Sequence, residues 1–359
     1  MSSQGAGATQ PRKGRGATSN PANRFESRRS VAFDDGWGSA DEEPAPLKTT
    51  VSDDRARSII NYNASPDIPF DRSINPYRGC EHGCIYCYAR PSHAYIGLSP
   101  GLDFESKILR KANAAELLRD ELDKPGYACQ PIALGVNTDA WQPAERNLGI
   151  TRDVLGVLRD CHHPVYTLSK SSLIERDSDI LSALSAKGLA SVAISVTTLD
   201  RHLARRLEPR AAAPQRRLET IRRLTENGVP VGVLLAPIIP VLTDGELEST
   251  LEAARDAGAR WASYAMLRLP LEIAGLFKDW LAEHYPLKAS HVMSIVRDMR
   301  AGRDNDAAFG RRMHGTGVFA ALKARRFELA RKRLGLAKAP DELDCSRFRP
   351  PGGGQLALF

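Results

Sequence analysis

Short apolar runs alternating with amphipathic stretches predict an α/β chain folded as a partial (β/α)6 TIM-type barrel, with a disordered basic N-terminal arm and a basic helical C-terminal extension. Three observations support this. Residues 131–136, 165–168, 189–196, 229–236 and 261–267 read as buried strands. Between them, residues 148–159, 177–187, 214–227 and 244–258 carry apolar side chains three and four apart, the spacing of helices packed on one face. Gly188, Gly228 and Gly258 stand where those helices should stop. One more strand before the cysteines brings the total to about six βα units, short of the eight of a closed barrel.

In chain order, residues 1–58 read as a mostly disordered arm. Its first thirty residues are rich in Gly, Ser, Ala and Pro and carry Arg12, Lys13, Arg15, Arg24, Arg28 and Arg29 against Glu26; residues 34–43 then turn acidic. Residues 59–290 form the barrel. Residues 291–336 read as a basic helical extension holding Arg297, Arg300, Arg303, Arg311, Arg312, Lys323, Arg325, Arg326, Arg331, Lys332 and Arg333. Residues 337–359 read as a flexible tail through Pro350-Pro351-Gly352-Gly353-Gly354.

The 359 residues are 42% hydrophobic, enough for a large buried core, and the net charge of +7 permits a nucleic-acid partner without requiring one. No apolar run approaches the ~18 residues of a membrane helix, and the N-terminus lacks a secretory apolar segment, so a cytoplasmic protein is expected. Six cysteines are too few for a disulfide scaffold, and three of them lie within eight residues, which points to metal ligation.

Those three occur in Asn75-Pro-Tyr-Arg-Gly-Cys80-Glu-His-Gly-Cys84-Ile-Tyr-Cys87-Tyr-Ala-Arg90. Spaced C-x3-C-x2-C, their thiolates can take three corners of a [4Fe–4S] cube from one loop, with Gly79 and Gly83 allowing the tight turns. The fourth iron then has no protein ligand nearby and stays open, as chelation by the methionyl group of S-adenosylmethionine (SAM) requires. A zinc site is the alternative; it wants four ligands, and His82 or His93 would have to be recruited.

The loop resembles the radical SAM superfamily, in which the aromatic before the third cysteine, here Tyr86, lies near the adenine. The resemblance extends through Gly135-Val-Asn-Thr-Asp139, Gln142-Pro-Ala-Glu-Arg146, Leu168-Ser-Lys-Ser171, Glu208-Pro-Arg210 and Ala236-Pro-Ile-Ile-Pro240. Over about residues 60–270 it is to the branch that includes spore photoproduct lyase and "DNA repair photolyase-like" proteins. It implies a [4Fe–4S] cluster, SAM, and an electron donor such as a flavodoxin or ferredoxin. In the lyase a cysteine beside the Thr/Ser-Asp strand end returns a hydrogen to the product, but residues 133–139 contain none. That points to a relative with another substrate. Cys129 and Cys161 read as space-fillers.

Each resembling stretch falls at the C-terminal end of a predicted strand, where such barrels build their sites. Thr138 and Asp139 could meet the methionyl amine, Lys170 the SAM carboxylate, and Ser195 the carboxylate or ribose; turn and cap roles are the alternative for each. His162 and His163 precede Pro164 at a strand entrance and read as a turn. Glu208 and Arg210 could contact SAM or substrate, or pair with each other.

Gln355-Leu-Ala-Leu-Phe359 resembles the pentapeptide that docks on the bacterial β sliding clamp, with Leu356, Leu358 and Phe359 for an apolar groove and Gln355 at its rim. A terminal strap folded back on the barrel is the alternative. With clamp docking, the basic arm and the helices of 297–333 would contact DNA phosphates; otherwise they are solvated faces. The expectation is a radical SAM enzyme acting on DNA, in repair or base modification, recruited by the clamp. Its rivals are an enzyme modifying RNA or protein, and a non-catalytic iron–sulfur nucleic-acid-binding protein.

Overall fold

The computed structural model describes residues 14–26 and 47–352. Its strands are β1 (Thr50–Asp53), β2 (Ile60–Tyr62), β3 (Arg72–Ile74), β4 (Tyr77–Arg78), β5 (Lys107–Arg110), β6 (Ile132–Leu134), β7 (Val165–Ser169), β8 (Ala190–Ser195), β9 (Val231–Ile238) and β10 (Trp261–Met266). Seven form one sheet in the order β10-β9-β8-β7-β6-β3-β2. From β3 to β10 every pairing is parallel, and only β2 runs antiparallel at the edge. The six parallel strands are the six expected units of a partial barrel. β1, β5 and β4 make a small second sheet beside the cysteine loop.

The connections are helical as the apolar spacing requires: Ile150–Asp160 after β6, Ser178–Ser185 after β7, Pro214–Glu226 after β8 and Leu247–Asp256 after β9. Their apolar faces (Val154, Leu158, Leu181, Leu184, Leu224, Leu251) pack on Ile132, Leu134, Val165, Val192 and Val231 to form the main core. Every residue of β8 is buried, as suits a central strand covered on both faces.

Three expectations are corrected. The arm is not disordered throughout: residues 14–26 pack against the barrel, with Arg15, Gly16 and Ala17 buried. Gly and Ser composition hid this because the contacts come from scattered groups: the side chains of Arg15, Asn20 and Arg24 and the N–H groups of Gly16 and Ala17. The boundary at 290 cuts the helix Pro286–Asp298, whose Val292, Met293 and Val296 join a second core with Phe277, Trp280 and Leu281. Likewise Ala320, Phe327 and Ala330 of the helix Gly317–Arg333 lie in the main core, so 291–336 is part of the body. Its basic residues are largely paired with acids: Arg297 with Asp304, Arg303 and Arg311 with Asp306, Arg312 with Asp67, Lys323 with Asp244, Arg326 with Glu248, Arg331 with Glu328 and Arg333 with Glu252.

Finally, the tail is held down as far as residue 352. Ala337 bridges to Trp261, the Asp344 N–H donates to the Gly188 carbonyl (3.1 Å), and the Arg349 N–H donates to that of Cys161 (2.9 Å). Gly352 donates to Asp123 at 2.8 Å. This strap runs under the strand entrances. Residues Gln355, Leu356, Leu358 and Phe359, like Arg12, Lys13, Arg28 and Arg29, lie outside the described residues.

His162 and His163 form a turn there, as expected. His162 takes a left-handed φ of +48°, and the His163 ring sits against Tyr127 and Phe348 of the strap. Burial lowers the His163 pKa from 6.5 to about 4. Its Nδ1 faces the Pro164 carbonyl (3.0 Å) and its Nε2 faces the Tyr127 hydroxyl (2.8 Å), an arrangement for the neutral ring. Between pH 6.5 and 4 the unfolded chain binds this proton and the folded chain does not. Stability is therefore whole above that window and falls as pH drops through it. In denaturant titrations the His163→Gln variant should lose stability less steeply from pH 6.5 to 4 than the parent; parallel curves would contradict this role.

Candidate active site

The cysteine loop leaves β4 and enters the 3-10 helix Arg90–Ile96. Gly79 and Gly83 take left-handed φ values of +81° and +68°, and a Cβ at either would lie within 3 Å of Phe104 or Glu105 atoms. The Cys80 N–H donates to the Phe104 carbonyl (2.9 Å), and the Cys87 N–H to that of Cys84 (3.2 Å). All three cysteines are free thiols. Burial is the first cause raising each of their pKa values, so the thiolates need a cationic partner, which iron would supply. The donor set thus fits a cluster. Each histidine that zinc would recruit has one ring nitrogen engaged: His82 Nδ1 lies 3.3 Å from Asp139, and His93 Nε2 lies 3.0 Å from the Lys107 carbonyl.

The loop is held from behind by a residue pair that sequence reasoning missed. Arg90 is fully buried and donates to the carbonyls of Gly83 (3.1 Å), Cys84 (2.9 Å), Pro100 (3.2 Å) and Gly101 (3.0 Å), and to Glu105 (2.5 Å). The Glu105 carboxylate also accepts from the N–H groups of Gly16 (2.9 Å) and Ala17 (2.8 Å). Gly16 approaches so closely that a Cβ there would fall 1.8 Å from the Gly83 carbonyl oxygen. Gln142 clamps the loop from the other side, donating to the Gly79 carbonyl (3.1 Å) and accepting from the Glu81 N–H (2.9 Å).

Of the predicted residues, Tyr86, Lys170 and Ser195 come together at the C-terminal ends of β7 and β8. Lys170 Nζ reaches Ser195 Oγ (2.5 Å) and the Ala236 carbonyl (3.4 Å), and lies 5.7 Å from the Tyr86 ring centroid. Glu208 completes this group. It lies 3.4 Å from Lys170 Nζ, accepts from Thr197 (2.7 Å) and from the Tyr86 hydroxyl, and pairs with buried Arg217. Burial opposes its charge, but Arg217 and Lys170 outweigh burial and hold the carboxyl well below its ordinary pKa. Arg217, whose position mid-pattern in a helix gave no signal, also donates to the Ser195 carbonyl (3.0 Å). Glu208 and Arg210 do not pair with each other; Arg210 binds Glu81 at 3.0 Å.

Thr138 and Asp139 lie at the same mouth with their side chains engaged. Thr138 Oγ1 donates to the Tyr77 carbonyl (2.9 Å). Asp139 accepts from the Ser169 hydroxyl (2.9 Å) and from the N–H groups of Trp141 (2.9 Å) and Lys170 (2.8 Å). Burial would raise its pKa; His82 and the backbone donors overcome this and lower it. Asp139 thereby braces the end of β6 to the end of β7. At Val136, in the cysteine-free stretch, the carbonyl accepts from the Tyr88 hydroxyl.

Buried thiols on one loop, facing a lysine and carboxylate at the exit of parallel strands, define a cofactor-dependent barrel enzyme. The chain belongs to the radical SAM superfamily, whose family model matches residues 74–254. Such an enzyme uses a [4Fe–4S] cluster and SAM. An uncharacterized protein of Mycobacterium tuberculosis strain H37Rv is 36% identical over 232 residues, 64% of this chain and 68% of that one. An uncharacterized protein of Methanocaldococcus jannaschii is 26% identical over 65% of this chain and 82% of its own. Among solved structures, a spore photoproduct lyase double mutant with bound AdoMet and dinucleoside spore photoproduct superposes with a TM-score of 0.56, at 12% identity and over 80% of each chain. A single mutant of spore photoproduct lyase gives 0.55 at 13% over the same shares. These matches agree in the fold.

The Arg90–Glu105 pair supplies a test of the loop's support. Glu105→Gln keeps the shape but leaves the Arg90 charge buried without its counter-charge, which should cost about 3–5 kcal/mol. Thermal unfolding should shift down, and iron bound per chain after reconstitution should fall. Glu219→Gln, which loses only ion pairs with the exposed Arg222 and Arg223, should change neither, and equal iron loading in the two variants would refute the bracing role.

Proposed function

We propose that Cys80, Cys84 and Cys87 hold the cluster, that Tyr86, Thr138, Lys170 and Ser195 position SAM with Asp139 bracing the loop between them, and that the enzyme acts on DNA in repair or base modification. The observation that carries this reading is the convergence of Tyr86, Lys170 and Ser195 on the mouth that the cysteine loop rims. When bound, the cofactor pair would supply one-electron reductive cleavage of the SAM sulfonium and so a radical able to take hydrogen from a bound nucleotide. Lys170 presents an ammonium suited to the SAM carboxylate, while Glu208 and Arg217 fix its position beneath the ring of Tyr86. A flavodoxin or ferredoxin would supply the electron.

The DNA reading draws on a fold neighbour bound to a dinucleoside photoproduct, on the net charge of +7 and on the clamp-like ending at Gln355, Leu356, Leu358 and Phe359. The ion pairs of 297–333 weaken the idea that those helices serve as phosphate contacts. We place the protein in the cytoplasm; no helix of the described residues is long and apolar enough to cross a membrane.

The reconstituted, reduced protein should release 5′-deoxyadenosine from SAM, and ultraviolet-damaged DNA should stimulate the release over intact DNA. Lys170→Ala should abolish release while leaving the cluster's absorption in place. Release indifferent to DNA would redirect the search to RNA or protein substrates. No release despite a loaded cluster and bound SAM would favour a non-catalytic nucleic-acid-binding protein. Separately, deleting residues 355–359 should end capture by immobilised sliding clamp, and unchanged capture would remove the clamp from the scheme.

A further inference from the structure

β2 and β10 are the two edge strands of the seven-stranded sheet and do not pair with each other, so the partial barrel is open between them. Two side chains meet across this seam. Tyr88, next to Cys87, reaches from the cysteine loop to the Val136 carbonyl at the end of β6, and its ring lies 5.6 Å from the guanidinium of Arg268, just beyond β10. Tyr88 is about half exposed (49%).

Arg268 differs from the arginines around it. Among the described residues no carboxylate forms an ion pair with it. Its Nη1 lies 3.2 Å from Met313 Sδ, a weak acceptor that cannot neutralise a charge, and its Nε is buried without a hydrogen-bond partner. Asp67 is the nearby acid, and it is held by Arg312 at 2.5 Å and by the Gly310 N–H at 2.7 Å. Fully buried Arg300 donates to the carbonyls of Leu267 (2.7 Å), Arg311 (3.1 Å) and Arg312 (2.9 Å). Beyond it, Arg312 lies over the exposed ring of Phe309 at 4.6 Å. Several cations thus face few acids beside two accessible rings. An arginine whose charge no paired carboxylate balances, standing beside rings that can stack on bases, matches the way a single nucleic-acid strand is held.

We infer that Arg268 binds a backbone phosphate of a DNA strand lying in the seam between β2 and β10, with Tyr88 and Phe309 as flanking surfaces for its bases. This rests on the DNA reading above and specifies where the strand enters. Chemistry on a base inside a barrel requires the nucleotide out of its stack, and an open seam lets the backbone stay at the rim while one base goes in.

The test is fluorescence anisotropy of a labelled single-stranded DNA oligonucleotide with the full-length, cluster-loaded protein across a salt series. Arg268→Met keeps the side-chain length and removes the charge. It should weaken binding about tenfold and reduce the log–log salt slope by about 0.7, one phosphate's share on single strands. Arg268→Lys, which preserves charge but not the planar fork, should keep the slope and weaken binding less. Exposed Arg333→Met on the outer surface controls for net charge and should match the parent. If the parent binds and both Arg268 variants bind with its affinity and slope, the seam assignment is wrong while the DNA reading stands. If Arg333→Met lowers affinity and slope as much as Arg268→Met, the effect is one of net charge, and the assignment is wrong again. If the parent binds no DNA even at low salt, the DNA reading fails and the seam assignment falls with it.

Discussion

The site depends on keeping three thiols, two of them buried and one half-buried, on a loop that has almost no regular structure of its own. Neither helix nor sheet saturates the backbone carbonyls of residues 79–87, and a buried carbonyl left unpaired is costly. Arg90 solves this with one fork aimed at the Gly83, Cys84, Pro100 and Gly101 carbonyls, its charge balanced by Glu105. Because Glu105 also takes two backbone donors from residues 16 and 17, the loop, the 3-10 helix after it and the N-terminal segment form one electrostatic unit. A charge with several acceptors in a dry pocket has one good position, and this fixes the loop.

A second buried network fixes the other wall. Glu208 and Arg217 neutralise each other while touching Thr197, Tyr86 and the Ser195 carbonyl. The Lys170 ammonium is thus aimed by partners that are themselves fixed. The two networks share no residue, but they flank the same mouth: one sets where the three cysteines sit, the other where the Lys170 ammonium sits.

The barrel was legible because strand burial and helix periodicity are local signals. The runs at 165–168 and 189–196 became β7 and β8 almost residue for residue, and Gly79 and Gly83 turned where tight turns were expected. Tyr86, Lys170 and Ser195 could be named because each follows a strand or sits in the cysteine loop. What escaped was long-range. Arg90 pairs with a residue fifteen positions on, and Glu105 with residues nearly ninety positions back, so no local pattern could tie them. Residues 14–26 read as arm because their partners, Glu105, Asp103 and Glu272, lie about 80 to 250 positions away and no local pattern marks Arg15, Asn20 or Arg24 as paired. The basic residues of 291–336 read as a separate extension because charge is visible in a sequence whereas the long-range burial of Val292, Val296, Phe327 and Ala330 is not.

The strap of residues 337–352 bears on orientation. It crosses the end of the barrel where strands begin and is last seen at Asp123, whereas the thiols and Lys170 open on the end where strands finish. A partner that bound this strap would hold the enzyme by its back. The mouth would then point away from that partner, with the length of the strands setting the nearest distance at which it could work.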